Sequence, residues 1–106
     1  MLPELDPCSE ENSVLEVPLR AEIADGLTVS RFDVMEHRVR KRGVLTTGYY
    51  VIVQSPRKSA RYIVTRRNRE RPRQFFDIGR LDLLLKDIAP DAVMSIHRKA
   101  KLPPKK

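Results

Sequence analysis

The chain has 106 residues, of which 41% are apolar, with three Tyr, three Phe and no Trp. That length suits one compact domain with a single modest core and excludes a two-domain arrangement. The net charge of +7 is unevenly spread: residues 1–30 hold seven acids against Arg20 alone, a balance of −6, and the remainder carries +13. Cys8 is the single cysteine, which excludes an internal disulfide. The acidic, proline-broken opening MLPELDPCSEEN is unlike a secretory leader, and apolar runs such as YYVIV are too short to cross a bilayer. A cytoplasmic protein is the expectation.

In chain order, residues 1–16 are expected to be an acidic, flexible segment in which Ser9 at best caps a short helix. Residues 17–99 are expected to form one basic domain. Its first stretch, VPLRAEIADG, reads in two ways. As a helix it places Pro18 at its start and Gly26 just past its end. As a hairpin it alternates Val17, Leu19, Ala21 and Ile23, turns at Asp25-Gly26 and returns through Leu27 and Val29. The helix is the preferred reading.

The stretch SRFDVMEHRVRKRG predicts a basic helix over residues 30–42. Ser30 and Asp33 make a start like a capping box, Phe32, Met35 and Val39 share one face, and Gly43 is placed to end it. Two strands are predicted in YYVIV and RYIVT, joined through QSPRKSA. Beyond the arginine-rich stretch, RQFF is a candidate third strand. Asp77 then caps a helix carrying Leu81, Leu84, Leu85 and Ile88 on one stripe, ended by Pro90. DAVMSIHRK returns as a last strand with Val93 and Ser95 on one side and Met94 and Ile96 on the other. Residues 100–106, AKLPPKK, are expected to be a disordered basic tail. The fold class is therefore α+β: N-terminal helices, then a basic antiparallel hairpin or three-stranded sheet packed on one C-terminal helix.

The chemistry-bearing residues are cationic. Residues 66–76, RRNRERPRQFF, hold five arginines followed by two phenylalanines, and between positions 57 and 80 there are eight arginines and one lysine. Guanidinium groups make bidentate contacts with phosphate and with guanine edges, which ammonium groups do not. The candidate contact residues are Arg31, Arg38, Arg40, Lys41 and Arg42 in the basic segment and Arg57 and Lys58 in the connection. Arg66, Arg67, Arg69, Arg71 and Arg73 complete the set from the arginine loop. The aromatic residues beside them read first as half-buried core. No catalytic constellation is legible: His37 and His97 lie 60 positions apart without metal-ligand spacing, no phosphate-binding loop or nucleophile elbow is present, and no cofactor is implied. Cys8 reads as an ordinary thiol.

The order LRAEIADG, GLTV, SRFDVMEHRVRKRG and strand-turn-strand resembles the helix-turn-helix with a β-wing of winged-helix DNA-binding proteins, over residues 18–67. That resemblance implies a recognition helix placing Ser30, Arg31, Asp33 and Val34 near base edges and Arg38 near phosphate, a wing at SPRKSA with Arg57 and Lys58 at its tip, and a homodimer reading two half-sites. The Tyr-rich hairpin followed by RRNRERPRQFFDIGR is also similar, more loosely, to the arm-type DNA-binding domains of tyrosine recombinases, over residues 47–90. Together they imply a small, non-enzymatic DNA-binding regulator or accessory factor of a plasmid or phage, with RNA as a related ligand. The competing class is a protein-interaction module, an adaptor or inhibitor that grips an acidic protein through its basic sheet and hairpin. In either case the acidic N-terminal segment is placed to fold over the basic face and weaken binding.

Overall fold

The structure, a computed structural model, describes residues 6–98. Its organising element is a long antiparallel ribbon. Strands β2 (Arg31–Lys41) and β3 (Val44–Gln54) pair along their whole length, from Arg31 opposite Gln54 to Lys41 opposite Val44. The connection is a two-residue turn in which Arg42 and Gly43 both have positive φ, 52° and 81°. Two left-handed residues make the turn whose twist matches that of the flanking strands, and glycine takes the second position without steric penalty.

The basic helix expected over residues 30–42 is thus a strand. The reason lies in the partner. Phe32, Met35 and Val39 fit a helical stripe, but Phe32 and Val34 also alternate with Asp33, Met35 and His37. The eleven β-rich residues of β3 supply a complete ladder for that second pattern. Gly43 serves the left-handed conformation a helix end would have used, in a hairpin turn instead. Ser30 does not cap a helix; its hydroxyl donates to the Gln54 carbonyl at 3.1 Å.

Three shorter strands complete a five-stranded mixed sheet in the order β1-β4-β3-β2-β5. β4 (Arg61–Ile63) pairs antiparallel with β3, β1 (Ser13–Val14) runs parallel to β4, and β5 (Val93–His97) runs parallel to β2. The predicted strand-turn-strand and last strand are present, and RQFF contributes a single bridge, Phe75 to Tyr49, on the exposed edge of β3 beyond β4. The expected three-stranded sheet is widened by β1 and by the parallel docking of β5, neither of which has a local sequence signature.

Both helices cover one face. α1 (Glu16–Ala24) resolves the ambiguity of residues 17–29: Pro18 sits in its first turn, where its missing N–H breaks no bond, and Gly26 follows its end at φ 108°. α2 (Ile78–Ile88) begins as read, with the Asp77 carboxylate accepting from the Arg80 N–H at 3.1 Å. Leu19 of α1 and Leu81, Leu85 and Ile88 of α2 bury against Phe32, Val34, Val51, Val53 and Ile63. The architecture is α+β, one domain built on one sheet.

The other face carries a smaller cluster of Cys8, Met35, Tyr50, Ile52, Tyr62 and Val64. Here the expectation for the N-terminal segment is corrected over residues 6–16. Cys8 is fully covered, the Tyr62 hydroxyl donates to the Asp6 carbonyl at 3.0 Å, and Val14 extends the sheet. Polarity did not prevent anchoring, because the segment satisfies itself: the Asn12 side chain accepts from the Ser9 N–H at 2.8 Å and donates to the Pro7 carbonyl at 3.1 Å. Burial pushes the Cys8 thiol up to about 11, with the Glu70 carboxylate adding to it, so the thiolate is scarce at neutral pH. The expectations for residues 1–5 and for the tail from 99 onward lie outside the described residues.

Candidate functional site

Beyond the core, the β2–β3 ribbon runs on into solvent, and Arg38, Arg40 and Lys41 lie on this outer half, with Arg31 at the inner end. Arg38 donates to the Thr47 hydroxyl at 3.2 Å across the ribbon, and Arg40 to the Gly43 carbonyl at 3.1 Å, so both guanidiniums are steadied by the hairpin itself. The arginine loop folds back toward them. Three contacts fix its path: the Arg73 N–H donates to the Ile63 carbonyl at 2.8 Å, the Cys8 thiol lies 3.7 Å from the Arg69 carbonyl, and Phe75 exchanges both backbone hydrogen bonds with Tyr49 at 2.8 Å.

Gly48 faces this loop. A Cβ there would stand 3.3 Å from Gln74 Oε1, a tight contact that the end of the Gln74 side chain would have to ease by a few tenths of an ångström, and 3.5 Å from the Phe76 ring, an ordinary contact. His37 Nε2 lies 2.8 Å from Gln74 Oε1 and, facing an acceptor, donates. The His37 ring meets Tyr50 edge-on, with 5.2 Å between centroids. Lys41 lies over Phe76, 4.1 Å from the ring centroid, a cation–π contact at the mouth.

The result is a groove of about 560 Å³ between ribbon and loop. Arg38, Arg40 and Lys41 line one wall and Arg71 and Arg73 the other, with Thr65, Asn68 and Gln74 between them and Phe76 at the rim. No carboxylate lines it. Among the described residues Arg73 alone of the five has an acidic neighbour, Glu16 at 3.5 Å. Two basic stretches separate in sequence are thereby brought together around one space of positive potential.

The other candidate residues are placed differently. Arg42 sits at the ribbon tip, exposed, next to the exposed apolar pair Val44 and Leu45. Arg66 and Arg67 lie exposed on the turn bridged by Thr65 and Asn68, Arg69 beyond it is half-buried, and none of the three lines the groove. Arg57 and Lys58 occupy the β3–β4 connection at the opposite end of the sheet, roughly 30 Å of strand away from the ribbon tip. Lys58 is engaged there by Glu22 at 3.3 Å, which also takes a bidentate contact from Arg61 at 2.7 and 3.0 Å. These two cations hold the Glu22 carboxyl below its usual range, the Arg61 hydrogen bonds most.

Arg31 belongs to a second polar cluster that sequence reading missed. Asp33 is completely buried at mid-sheet, with Oδ1 2.9 Å from both Arg31 Nε and His97 Nε2, and Oδ2 accepting from Gln54 at 3.0 Å and from Arg31 Nη2 at 3.3 Å. With its oxygens occupied, this carboxylate ties β5, β2 and β3 together. No helix exists at residues 30–42 to carry Arg31, Asp33 and Val34 into a DNA groove. Asn68 and Gln74 were likewise missed in the groove, because only the folded loop sets them beside the arginines.

No family model, curated protein or solved structure matches the chain. No helix among the described residues is long and apolar enough to cross a membrane, and none of their His, Cys, Asp or Glu side chains cluster in a metal-binding group of three.

Burial gives His37 a pH-dependent contribution to stability. It lowers the His37 pKa from its ordinary value, outweighing the Gln74 hydrogen bond that opposes it. A histidine depressed in the folded state contributes stability above its unfolded pKa of about 6.5 and loses it as pH falls below that value, because the unfolded chain binds the proton first. Thermal midpoints are accordingly expected to drop between pH 7.5 and 5.5 in the wild-type protein, and the drop to shrink in His37→Gln. An equal drop in both proteins would remove His37 as its source.

Proposed function

We propose that this chain binds nucleic acid, holding the sugar-phosphate backbone in the groove between the β2–β3 ribbon and the arginine loop. The observation that carries the proposal is the lining: five cations from two chain segments with no carboxylate among them. Guanidinium groups favour phosphate oxygens, and the exposed Phe76 beside Lys41 offers a face for a sugar or base. The element presented to the ligand is a β-ribbon in place of a recognition helix. A two-stranded ribbon fits the B-DNA major groove, and Val44 and Leu45 at its tip are suited to apolar contact with thymine methyls. A DNA-binding accessory factor or regulator, of the kind plasmids and phages encode, is the role this arrangement supports.

The test is fluorescence anisotropy of a labelled random duplex over a salt series, with an acidic protein as competitor. Neutralising about four phosphates predicts a log-log salt slope of about −3.6, so affinity should fall about 150-fold between 50 and 200 mM salt. A flat response, or displacement of the duplex by a stoichiometric amount of the acidic protein, would turn the groove toward a protein ligand.

A further inference from the structure

The sheet's two outer edges are not alike. β1 is two residues long, which is itself a protection against pairing with another chain. β5 is five residues long and has no strand on its outer side among the described residues. Between Val93 and His97 it has no lysine and no proline to block an incoming strand. Val93 is 61% exposed and Ile96 42%.

The direction of its backbone groups follows from one bond. The Val93 N–H donates inward, to the Ser30 carbonyl of the β2 side, at 3.2 Å. Backbone groups alternate along a strand, so Val93, Ser95 and His97 face β2, while Met94 and Ile96 present both N–H and C=O outward. The same two residues share the helix-side face, where Met94 packs against the main core.

We infer that the chain forms a two-fold homodimer in which β5 pairs antiparallel with the β5 of a second copy, making one sheet that runs through both subunits. With Ser95 opposite its own counterpart, Met94 faces the partner's Ile96, and Ile96 the partner's Met94, as hydrogen-bonded pairs. The outward backbone groups then satisfy one another. Their side chains form an apolar strip that continues the core across the two-fold axis and covers Ile96. Charge selects this occupant and this direction. The strand is entered past Asp91, exposed and in no ion pair among the described residues, and left through Arg98. An antiparallel second copy sets the acidic end of one strand against the basic end of the other, whereas a parallel one sets like against like. Two short strands bury less than a standard interface of about 800 Å² per partner, so the expected association is micromolar.

The inference does not depend on the nucleic-acid reading, and neither does its test. Sedimentation equilibrium of the full chain from about 1 μM to about 1 mM should show a shift from 12.3 kDa to twice that mass. Ile96→Lys puts a charge into the strip at an exposed position; it should raise the dimer dissociation constant at least tenfold with an unchanged circular dichroism spectrum. Asp91→Lys should weaken the dimer, and adding Arg98→Asp should recover it. A wild-type chain that stays monomeric to the millimolar range overturns the inference. So does an Ile96→Lys variant that dimerises like the wild type.

Discussion

Replacing Arg38, Arg40 and Arg71 together by alanine is expected to lower duplex affinity about a hundredfold at low salt and to flatten the log-log salt slope by about 3, one for each phosphate contact removed. All three side chains are exposed and none has an acidic neighbour among the described residues, so their loss leaves no buried charge unpaired. Loss of affinity with the fold intact is the expected outcome. The matched control is Arg57→Ala, Lys58→Ala and Arg80→Ala, which removes the same charge from elsewhere on the sheet and from α2. Long-range attraction depends on total charge, so both triples slow encounter, but only the groove triple removes contacts made in the bound state. Control variants are expected within about threefold of wild type at 150 mM salt, where screening confines the field to roughly 8 Å. Equal losses in the two triples would mean that the protein is a diffuse cationic surface and the groove has no special standing.

The second large effect concerns stability. Asp33→Ala is expected to destabilise the fold by about 3 kcal/mol, a sizeable part of the 5–15 kcal/mol that holds a domain of this size together. The substitution strands Arg31, Gln54 and His97, which converge on the fully buried carboxylate. The effect sits at the lower end for a broken buried pair, because the Arg31 and His97 side chains retain 43% and 34% of their exposure and reach water once released. Urea midpoints measure the total. Amide exchange locates it, with Val93–His97 losing protection before the β2–β3 ladder does. A midpoint within the error of wild type would show that the cluster is held by the strands instead of holding them.

The parts of this fold that were legible in the sequence are those whose signals are local. Asp77, the leucine stripe and Pro90 define α2 without reference to anything else, and Pro18 with Gly26 favoured α1 over a hairpin. Residues 30–42 carry two competing periods: Phe32, Met35 and Val39 fit 3.6, while Phe32 and Val34 against Asp33 and Met35 fit 2. What decides between them is a strand that begins at Val44 and is specified by its own apolar content. Gly43 takes the left-handed conformation that would suit a helix end, but in a hairpin turn. The candidate site divides in the same way. Arginine density marks the loop, yet which arginines share a groove depends on Phe75 bonding to Tyr49. Composition does not carry that fact. Asp33 has arginines near it in sequence, but its burial involves His97 from the far end of the chain, which no local signal carries.

That separation in sequence bears on the order in which the molecule assembles. The β2–β3 ribbon closes through two residues, whereas β1 must find Tyr62 and β5 must find Arg31 across long intervening stretches of chain. Loop-closure entropy makes the ribbon the inexpensive nucleus and the two parallel edges the slow steps of folding. Until β5 docks, the Asp33 carboxylate lacks the His97 contact. The strand that seals the sheet is therefore also the one that completes its buried charge, so the final docking step is selective as well as slow: a strand with no imidazole at that register would leave Asp33 with an empty acceptor site.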